Sequence, residues 1–236
     1  KPKKFIPYGS QSIYKEDVNS VVKVLKSDFL TQGEAVPFFE SKISKYVGAK
    51  YAIATNSGTS ALHIACLALG LKNGDYLWTS PISFVASANC GLYCGAKIDF
   101  VDINHNTWNI DTNCLIRKLE KAKKENKLPK IIVAVHFSGL SCDMSLIKKL
   151  SLKYKFKIIE DSCHALGGKY KKNLIGSCKY SDISMFSFHP VKSITTGEGG
   201  VATTNNQLLA DRMRLLRSHG ISKKNNLNSN KSPPWY

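Results

Sequence analysis

One lysine lies where a nucleophile would be expected. Lys192 follows a strand-like run at residues 182–188 and lies between a turn at Pro190 and a glycine-rich turn at residues 197–200. Partial burial and nearby positive charge can lower the pKa of a lysine towards neutrality, and the neutral amine attacks carbonyl carbons. The setting predicts that Lys192 forms a Schiff base with pyridoxal phosphate. A solvated loop lysine is the alternative, because the chain contains many lysines.

Other segments carry side chains that could hold such a cofactor. Ser-Gly-Thr-Ser at residues 57–60 separates a strand-like run from a helix-like run, where backbone N–H groups and hydroxyls could bind phosphate or simply cap the helix. Asp161 ends a strand-like run, so its carboxylate could hold a pyridine nitrogen or cap a helix. Phe84 could stack on a ring or belong to the core. His164 could lie against the ring or be structural.

Several other chemistries do not fit the spacing. The glycines at 197–200 lead into a strand rather than a helix, which excludes a dinucleotide-binding fingerprint, and residues 57–60 lack the Gly-Lys pair of a nucleoside triphosphate loop. Cys163 and His164 are neighbours in sequence, whereas a cysteine-protease pair meets only in space. With His136 they show no recognised zinc spacing, so we expect no metal site.

Strand-like and helix-like runs alternate along most of the chain, which predicts an α/β fold with a mostly parallel sheet covered by helices on both faces. Strands are predicted at residues 51–55, 76–79, 97–101, 130–135, 157–160, 183–187 and 200–203. Helices are predicted at residues 14–26, 39–47, 61–69, 85–94, 112–126 with Asp111 as cap, 146–154 and 207–217. Ligands bind such sheets beyond the carboxyl ends of the strands. The candidate segments there are residues 56–59, 81–84, 136–139, 161–164 and 187–192.

The composition is that of a basic globular protein. The 236 residues are 43% hydrophobic, and 34 lysines and arginines against 17 acidic residues give a net charge of +17. Nucleic acid would be the first partner to consider. However, the lysines at residues 118–127 alternate with acidic and apolar residues, as on a solvated helix face, and no zinc-finger or RNA-binding signature occurs. We therefore expect no nucleic-acid partner.

The cysteines indicate the cellular compartment of the protein, and one uncharged segment must be examined as a possible membrane span. Seven cysteines are scattered without a Cys-x-x-Cys pair, and no secretory signal occurs, which predicts free thiols in the cytoplasm. Residues 76–96 carry no charge, but their serines, threonine, asparagine, proline and glycines make the segment too polar and too broken for a membrane-spanning helix, so we expect no membrane partner.

Six ordered motifs resemble the DegT-type (DegT/DnrJ/EryC/StrS) nucleotide-sugar aminotransferases, and the match runs from the N-terminus to Tyr236. They lie at residues 5–9, 30–33, 56–61, 79–89, 160–167 and 187–200. The resemblance implies the large domain of a fold-type-I pyridoxal-phosphate-dependent transferase, an α/β/α sandwich around a mostly parallel sheet. It also implies an N-terminal arm and helix at residues 1–30, a cofactor-binding large domain at 31–221, and a loop at 222–236 leading to a small C-terminal domain that this chain lacks.

By motif position, the resemblance also implies residue roles. Lys192 would be the Schiff-base nucleophile and proton shuttle, Asp161 would contact the pyridine nitrogen, and Phe84 and His164 would lie on the two faces of the ring. The phosphate would be bound by three residues: Gly58, Thr59 and Ser187.

The substrate and assembly are likewise implied by resemblance. Residues 81–86, 162–167 and 233–236 most resemble family members that aminate C4 of a UDP-linked 4-keto-6-deoxy-N-acetylhexosamine, with glutamate as donor, in pseudaminic acid biosynthesis. Such enzymes are homodimers. An aminotransferase for another nucleotide-linked keto sugar, or a non-catalytic or truncated relative, is the alternative. Related dehydratases carry histidine at the position of Lys192, which argues against that activity.

Overall fold

The computed structural model describes Phe5, Pro7 and residues 9–221. The predicted N-terminal arm is therefore described only in part. The predicted loop at residues 222–236 lies outside the described residues, and the division of the chain into three regions stays a prediction.

A central sheet organises the described part of the chain. Its strands are β1 (Tyr51–Thr55), β2 (Tyr76–Thr79), β3 (Lys97–Phe100), β4 (Ile131–Val135), β5 (Lys157–Asp161), β8 (Ile183–Ser187) and β9 (Gly200–Thr204), in the spatial order β1-β9-β8-β5-β4-β2-β3. The short strands β6 (Lys169–Tyr170) and β7 (Asn173–Leu174) form a separate antiparallel hairpin. β9 runs antiparallel to its two neighbours, β1 and β8, and the other strand pairs of this sheet are parallel, so the predicted mostly parallel sheet is confirmed.

Helices cover both faces of this sheet, which confirms the α/β/α sandwich. The α-helices of the described residues are α1 (Lys15–Leu25), α2 (Ala35–Val47), α3 (Gly58–Ala68), α4 (Ala86–Leu92), α5 (Thr112–Lys124), α6 (Met144–Tyr154) and α7 (Gln207–Arg217). Apolar residues of α3, α4 and α7 pack on one face of the sheet, and those of α5 and α6 pack on the other. Alternate residues of β4 face the two cores, and all five are buried, as expected for a central parallel strand.

Side-chain caps explain several helix starts. Asp111 accepts a hydrogen bond from the N–H of Cys114, which confirms the predicted cap of α5. Ser57 caps α3 in the same way by accepting from the N–H of Ser60. The prediction that α3 begins at residue 61 was therefore wrong, because Ser57 allows the helix to begin at Gly58.

The cysteines and the apolar character of the helices were also subjects of prediction. All seven cysteines are free thiols, as predicted. Among the described residues, none of the helices has the length and apolar character needed to cross a membrane.

Candidate active site

The register of the strands brings the predicted segments to one edge of the sheet. Thr55, Gly200 and Ser187 lie side by side at the ends of β1, β9 and β8. Asp161 ends β5 beside Val135 of β4. The segments that follow β1, β2, β4, β5 and β8 consequently open onto the same edge, where parallel α/β sheets bind ligands.

The start of α3 lies against the end of β8 because a glycine permits close approach. A Cβ atom built on Gly58 would lie 3.0 Å from the Ser187 Cβ and 3.4 Å from its Oγ. In the described part of the chain, the N–H groups of Gly58 and Thr59 have no hydrogen-bond acceptor. Two free N–H groups at a helix N-terminus beside a hydroxyl form an arrangement that fits a phosphate group.

Gly200, the first residue of β9, allows that strand to approach the start of α3 equally closely. A Cβ atom on this residue would lie 2.2 Å from the Ser57 carbonyl oxygen and 2.6 Å from the Gly58 nitrogen, which no side chain could tolerate. The position therefore requires glycine for steric reasons. It fixes the start of α3 against the end of the loop that carries Lys192.

Asp161 is a buried carboxylate held by two neutral donors. It is 5% exposed. Its Oδ2 accepts a hydrogen bond from the Ser87 hydroxyl at 2.6 Å, and its Oδ1 accepts from the N–H of Cys163 at 3.2 Å. Each oxygen retains a further lone pair. A buried acceptor of this kind fits a cationic ring N–H, which is the partner that a protonated pyridine would supply.

Lys192 and His164 lie in direct contact. The Lys192 Nζ is 2.7 Å from the His164 Nε2. Since a lysine ammonium can only donate, the histidine nitrogen accepts. Burial lowers the pKa of His164, the positive charge of Lys192 lowers it further, and the negative charge of Asp161 opposes both. His164 is therefore held in its neutral form beside the lysine.

The loop that carries Lys192 is anchored at both ends. Phe188, which is 1% exposed, follows β8, and its carbonyl oxygen accepts from the Thr196 N–H at 3.0 Å and from the Thr195 hydroxyl at 2.9 Å. The Lys192 N–H donates to the carbonyl of His189 at 2.9 Å. These bonds fold the loop back on the strand end, so that Lys192 is half-buried rather than extended into solvent.

Phe84 lies in the segment between β2 and α4 and is 73% exposed, which excludes the core as its place. The preceding residue, Ser83, donates a hydrogen bond from its hydroxyl to the Ser87 hydroxyl at 2.8 Å. Ser87 in turn contacts Asp161, so the segment with Phe84 is tied to the buried carboxylate. Sequence analysis missed Ser87, although it lies within the motif at residues 79–89.

His136 is a buried residue whose hydrogen bonds are made within the protein. It is 1% exposed, and its Nε2 lies 2.8 Å from the Oε2 of Glu160, whose other oxygen accepts from the Ser181 hydroxyl. The Cys142 N–H donates to its Nδ1 at 3.2 Å. Both ring nitrogens are thus occupied within the protein. Of the segment at residues 136–139, the part that approaches the site is Gly139, where a Cβ would lie 2.6 Å from the His164 carbonyl oxygen.

A cleft of about 760 Å³ opens beside the first turn of α3. Its lining includes Gln32 and Gly33 of the motif at residues 30–33, together with Asn56, Ser60 and Arg217. Its volume lies within the range of small-molecule sites. The cleft places that motif next to the proposed phosphate-binding turn.

Comparison with known proteins gives one consistent answer. The profile of the DegT/DnrJ/EryC1/StrS aminotransferase family matches residues 11–232. Over 219 residues the chain is 45% identical to the UDP-4-amino-4,6-dideoxy-N-acetyl-beta-L-altrosamine transaminase of Campylobacter jejuni subsp. jejuni serotype O:23/36 (strain 81-176). That match covers 93% of this chain but 56% of the relative. Over 234 residues it is 42% identical to the spore coat polysaccharide biosynthesis protein SpsC of Bacillus subtilis (strain 168), covering 98% of this chain and 58% of SpsC.

Solved structures of aminotransferases are also similar to this chain. The structure of Helicobacter pylori PseC, an aminotransferase involved in the biosynthesis of pseudoaminic acid, matches with a TM-score of 0.86 and 38% identity, over 93% of this chain and 57% of PseC. A putative sugar aminotransferase, Spr1654 of Streptococcus pneumoniae, in its PLP form, matches with a TM-score of 0.82 and 28% identity, over 92% and 59% of the two chains. The chain thus spans little more than half the length of these relatives.

Proposed function

The chain belongs to the DegT/DnrJ/EryC1/StrS aminotransferase family, and from this premise we propose that it acts as a pyridoxal-phosphate-dependent aminotransferase of nucleotide sugars. The observation that carries the proposal is the meeting of Lys192, Asp161 and the turn at Gly58 on one sheet edge. Their partners are set by the contacts described above.

The residues present fit the cofactor. Gly58, Thr59 and Ser187 would hold its phosphate, and Asp161 would hold its ring nitrogen. Two further residues would enclose the ring: the exposed Phe84 on one face and His164 on the other. Bound pyridoxal phosphate supplies an electron sink that stabilises negative charge on the carbon next to the reacting nitrogen.

Lys192 has two tasks in this proposal. Its Nζ would hold the cofactor, and the same atom would remove and return a proton at the reacting carbon of the substrate. The neutral His164 favours this role because its Nε2 accepts from Nζ and keeps the amine close to the site. In this scheme the Asp161 carboxylate is held towards the ring nitrogen by the hydrogen bonds that it accepts from Ser87 and Cys163.

We propose glutamate as the amino donor and C4 of a UDP-linked 4-keto-6-deoxy-N-acetylhexosamine as the acceptor, for pseudaminic acid biosynthesis. The support is the 45% identity to a transaminase whose name gives the 4-amino-4,6-dideoxy sugar. The basic charge favours a nucleotide diphosphate. A different keto sugar is the second candidate, because the chain is also 35% identical to the UDP-4-amino-4-deoxy-L-arabinose–oxoglutarate aminotransferase of Shewanella sediminis (strain HAW-EB3).

We also propose a cytoplasmic homodimer. Free thiols throughout the chain favour a reducing compartment. Exposed apolar residues on α1 favour contact with a second subunit.

Cofactor attachment is the direct test. We expect the purified protein to take up pyridoxal phosphate with an absorbance band that borohydride fixes onto Lys192, identified by peptide mass spectrometry. Lys192→Ala should abolish the fixed adduct, whereas the exposed Lys172→Ala should leave it unchanged. A protein with intact Lys192 that takes up no pyridoxal phosphate would overturn the proposal.

Substrate choice needs a second assay. Glutamate and candidate UDP-linked keto sugars are incubated with the protein, and the amino sugar is identified by mass spectrometry and NMR. Amination of the 4-keto altrose-type sugar is expected. Turnover of another keto sugar alone would move the assignment to the second candidate.

A further inference from the structure

Ser87 carries a buried hydroxyl that points at the candidate active site, and it was not among the predicted site residues. It lies on α4 and is 0% exposed. Its Oγ is 2.6 Å from the Asp161 Oδ2, although the two residues are 74 positions apart in sequence. A buried polar group normally satisfies its hydrogen bonds within the protein, and here the partner is the carboxylate itself.

The direction of this bond is determined by the neighbouring serine. The Ser87 hydroxyl donates to the Asp161 Oδ2. Ser83 donates to the Ser87 Oγ at 2.8 Å, which is shorter than its 3.1 Å contact with the Phe84 carbonyl oxygen. Because a hydroxyl has one hydrogen, Ser87 accepts from Ser83 and commits its own hydrogen to Asp161.

The two donors act on different oxygens of Asp161. Ser87 holds Oδ2, and the Cys163 N–H holds Oδ1 at 3.2 Å. Together they fix the rotation of the carboxylate about its last side-chain bond. Removing Ser87 would leave the carboxylate attached through one longer hydrogen bond, so that it could turn away from the ring nitrogen that we assign to it.

The same chain of hydrogen bonds reaches the aromatic residue. Ser83 precedes Phe84, and Ser87 begins the next turn of the chain, where its own N–H donates to the Phe84 carbonyl at 3.1 Å. The backbone of Phe84 is thereby coupled to the Asp161 carboxylate.

We infer that Ser87, supported by Ser83, is the positioning residue that orients the Asp161 carboxylate towards the ring nitrogen of the bound cofactor. The inference rests on the proposed function, since it assigns Ser87 a role towards the same group. It adds a residue that acts through Asp161 rather than by touching the substrate.

Cofactor affinity measures this role without depending on turnover. The dissociation constant for pyridoxal phosphate is determined by equilibrium dialysis, and the circular dichroism of the bound cofactor reports how firmly the ring is held. We expect Ser87→Ala to raise the dissociation constant about tenfold and to weaken the dichroism. Ser87→Thr, which keeps the hydroxyl, should restore both to within about threefold of the original values.

A buried serine of the sheet provides the matched control. Ser184 of β8 is 0% exposed, and its Oγ lies 2.8 Å from the Ser162 Oγ, so Ser184→Ala removes a comparable hydrogen bond that does not involve Asp161. We expect it to leave cofactor affinity unchanged. Equal losses in the two alanine variants would overturn the inference.

A double-mutant cycle separates positioning from general structural support. In the Asp161→Asn background, Ser87→Ala should change the dissociation constant by less than about twofold, because the effect of the serine passes through the carboxylate. The same tenfold loss in both backgrounds would overturn the inference.

Two checks keep the outcomes distinct. If Ser87→Ala fails to fold, as judged by its thermal transition, the half-buried Ser83→Ala takes its place, with an expected rise of about threefold. Normal binding by Ser87→Ala overturns the inference alone, whereas absence of binding by the unmodified protein overturns the proposed function.

Discussion

The pairing of Lys192 with His164 has a measurable electrostatic consequence. Burial is the largest cause that lowers the pKa of His164, and the charge of Lys192 is the second. Replacing the lysine with an uncharged side chain removes the second cause only.

We predict that Lys192→Met raises the pKa of His164, because the neighbouring positive charge no longer disfavours the imidazolium. The pKa is read from the pH dependence of the His164 ring proton resonance in NMR spectra of the cofactor-free protein. A pKa that does not move would show that the two groups do not interact electrostatically in solution.

The residues of the candidate site differed in how far sequence could predict them. Lys192 and Asp161 were identified as candidates because one follows a strand-like run and the other ends one, and their roles stay predictions. Phe84 remained ambiguous between core and surface until its exposure was known. Ser87 carried no signal, since serine is common and its significance arises only when α4 packs against β5 and brings its hydroxyl to Asp161.

At the scale of elements, an ion pair binds outward backbone groups of β1, the strand at one edge of the sheet. The Ala54 N–H donates to the Glu40 Oε1 at 2.7 Å, and the Ala54 carbonyl accepts from the Arg217 Nη1 at 3.0 Å. Glu40 and Arg217 also contact each other, so α2 and α7 together satisfy the outward backbone groups of Ala54. Unpaired edge groups would otherwise be open to pairing with another chain.

We predict that Glu40→Ala lowers the free energy of unfolding by about 2 kcal/mol, because it leaves the Ala54 N–H without its acceptor and the Arg217 guanidinium without its carboxylate partner. Urea denaturation followed by circular dichroism measures the change. The exposed pair of Lys121 and Glu125, 3.8 Å apart on α5, supplies the control, and Lys121→Ala should cost less than about 0.5 kcal/mol. Similar costs for both variants would contradict the role given to the edge contact.

Element type and order were predicted well, whereas direction and exact starts were not. Apolar periodicity identifies a strand but does not encode the direction of its neighbours, so the antiparallel course of β9 could not be predicted. The start of α3 depended on the Ser57 cap, which lies within a small-residue turn that is equally compatible with a loop. The hairpin of β6 and β7 was missed because two-residue strands leave no periodic pattern.

At the scale of the whole molecule, α1 stands out because none of its residues is buried. Val18, Val21 and Leu25 share one face at helical spacing and are 51%, 60% and 63% exposed. An amphipathic helix gains most of its stability by burying such a face. The proposed second subunit would cover it.

We therefore predict that the double substitution Val21→Glu and Leu25→Glu shifts the protein from dimer to monomer in sedimentation equilibrium. The matched control places the same acidic side chains on the polar face, as Asn19→Glu and Lys23→Glu, and should leave the dimer intact. A dimer that survives the first pair of changes would show that this face is covered by something other than a second subunit.

The loop that carries Lys192 has a consequence for protein engineering. Ser187 and Gly200 pair directly, so the chain leaves β8 and returns to β9 at neighbouring positions of one antiparallel ladder. Lengthening such a closed segment costs little, since closure entropy grows only with the logarithm of its length. Gly197 itself has a φ of +78°, which favours glycine, so this residue is kept. Residues can therefore be inserted beside it in a library while the strand register on either side stays fixed.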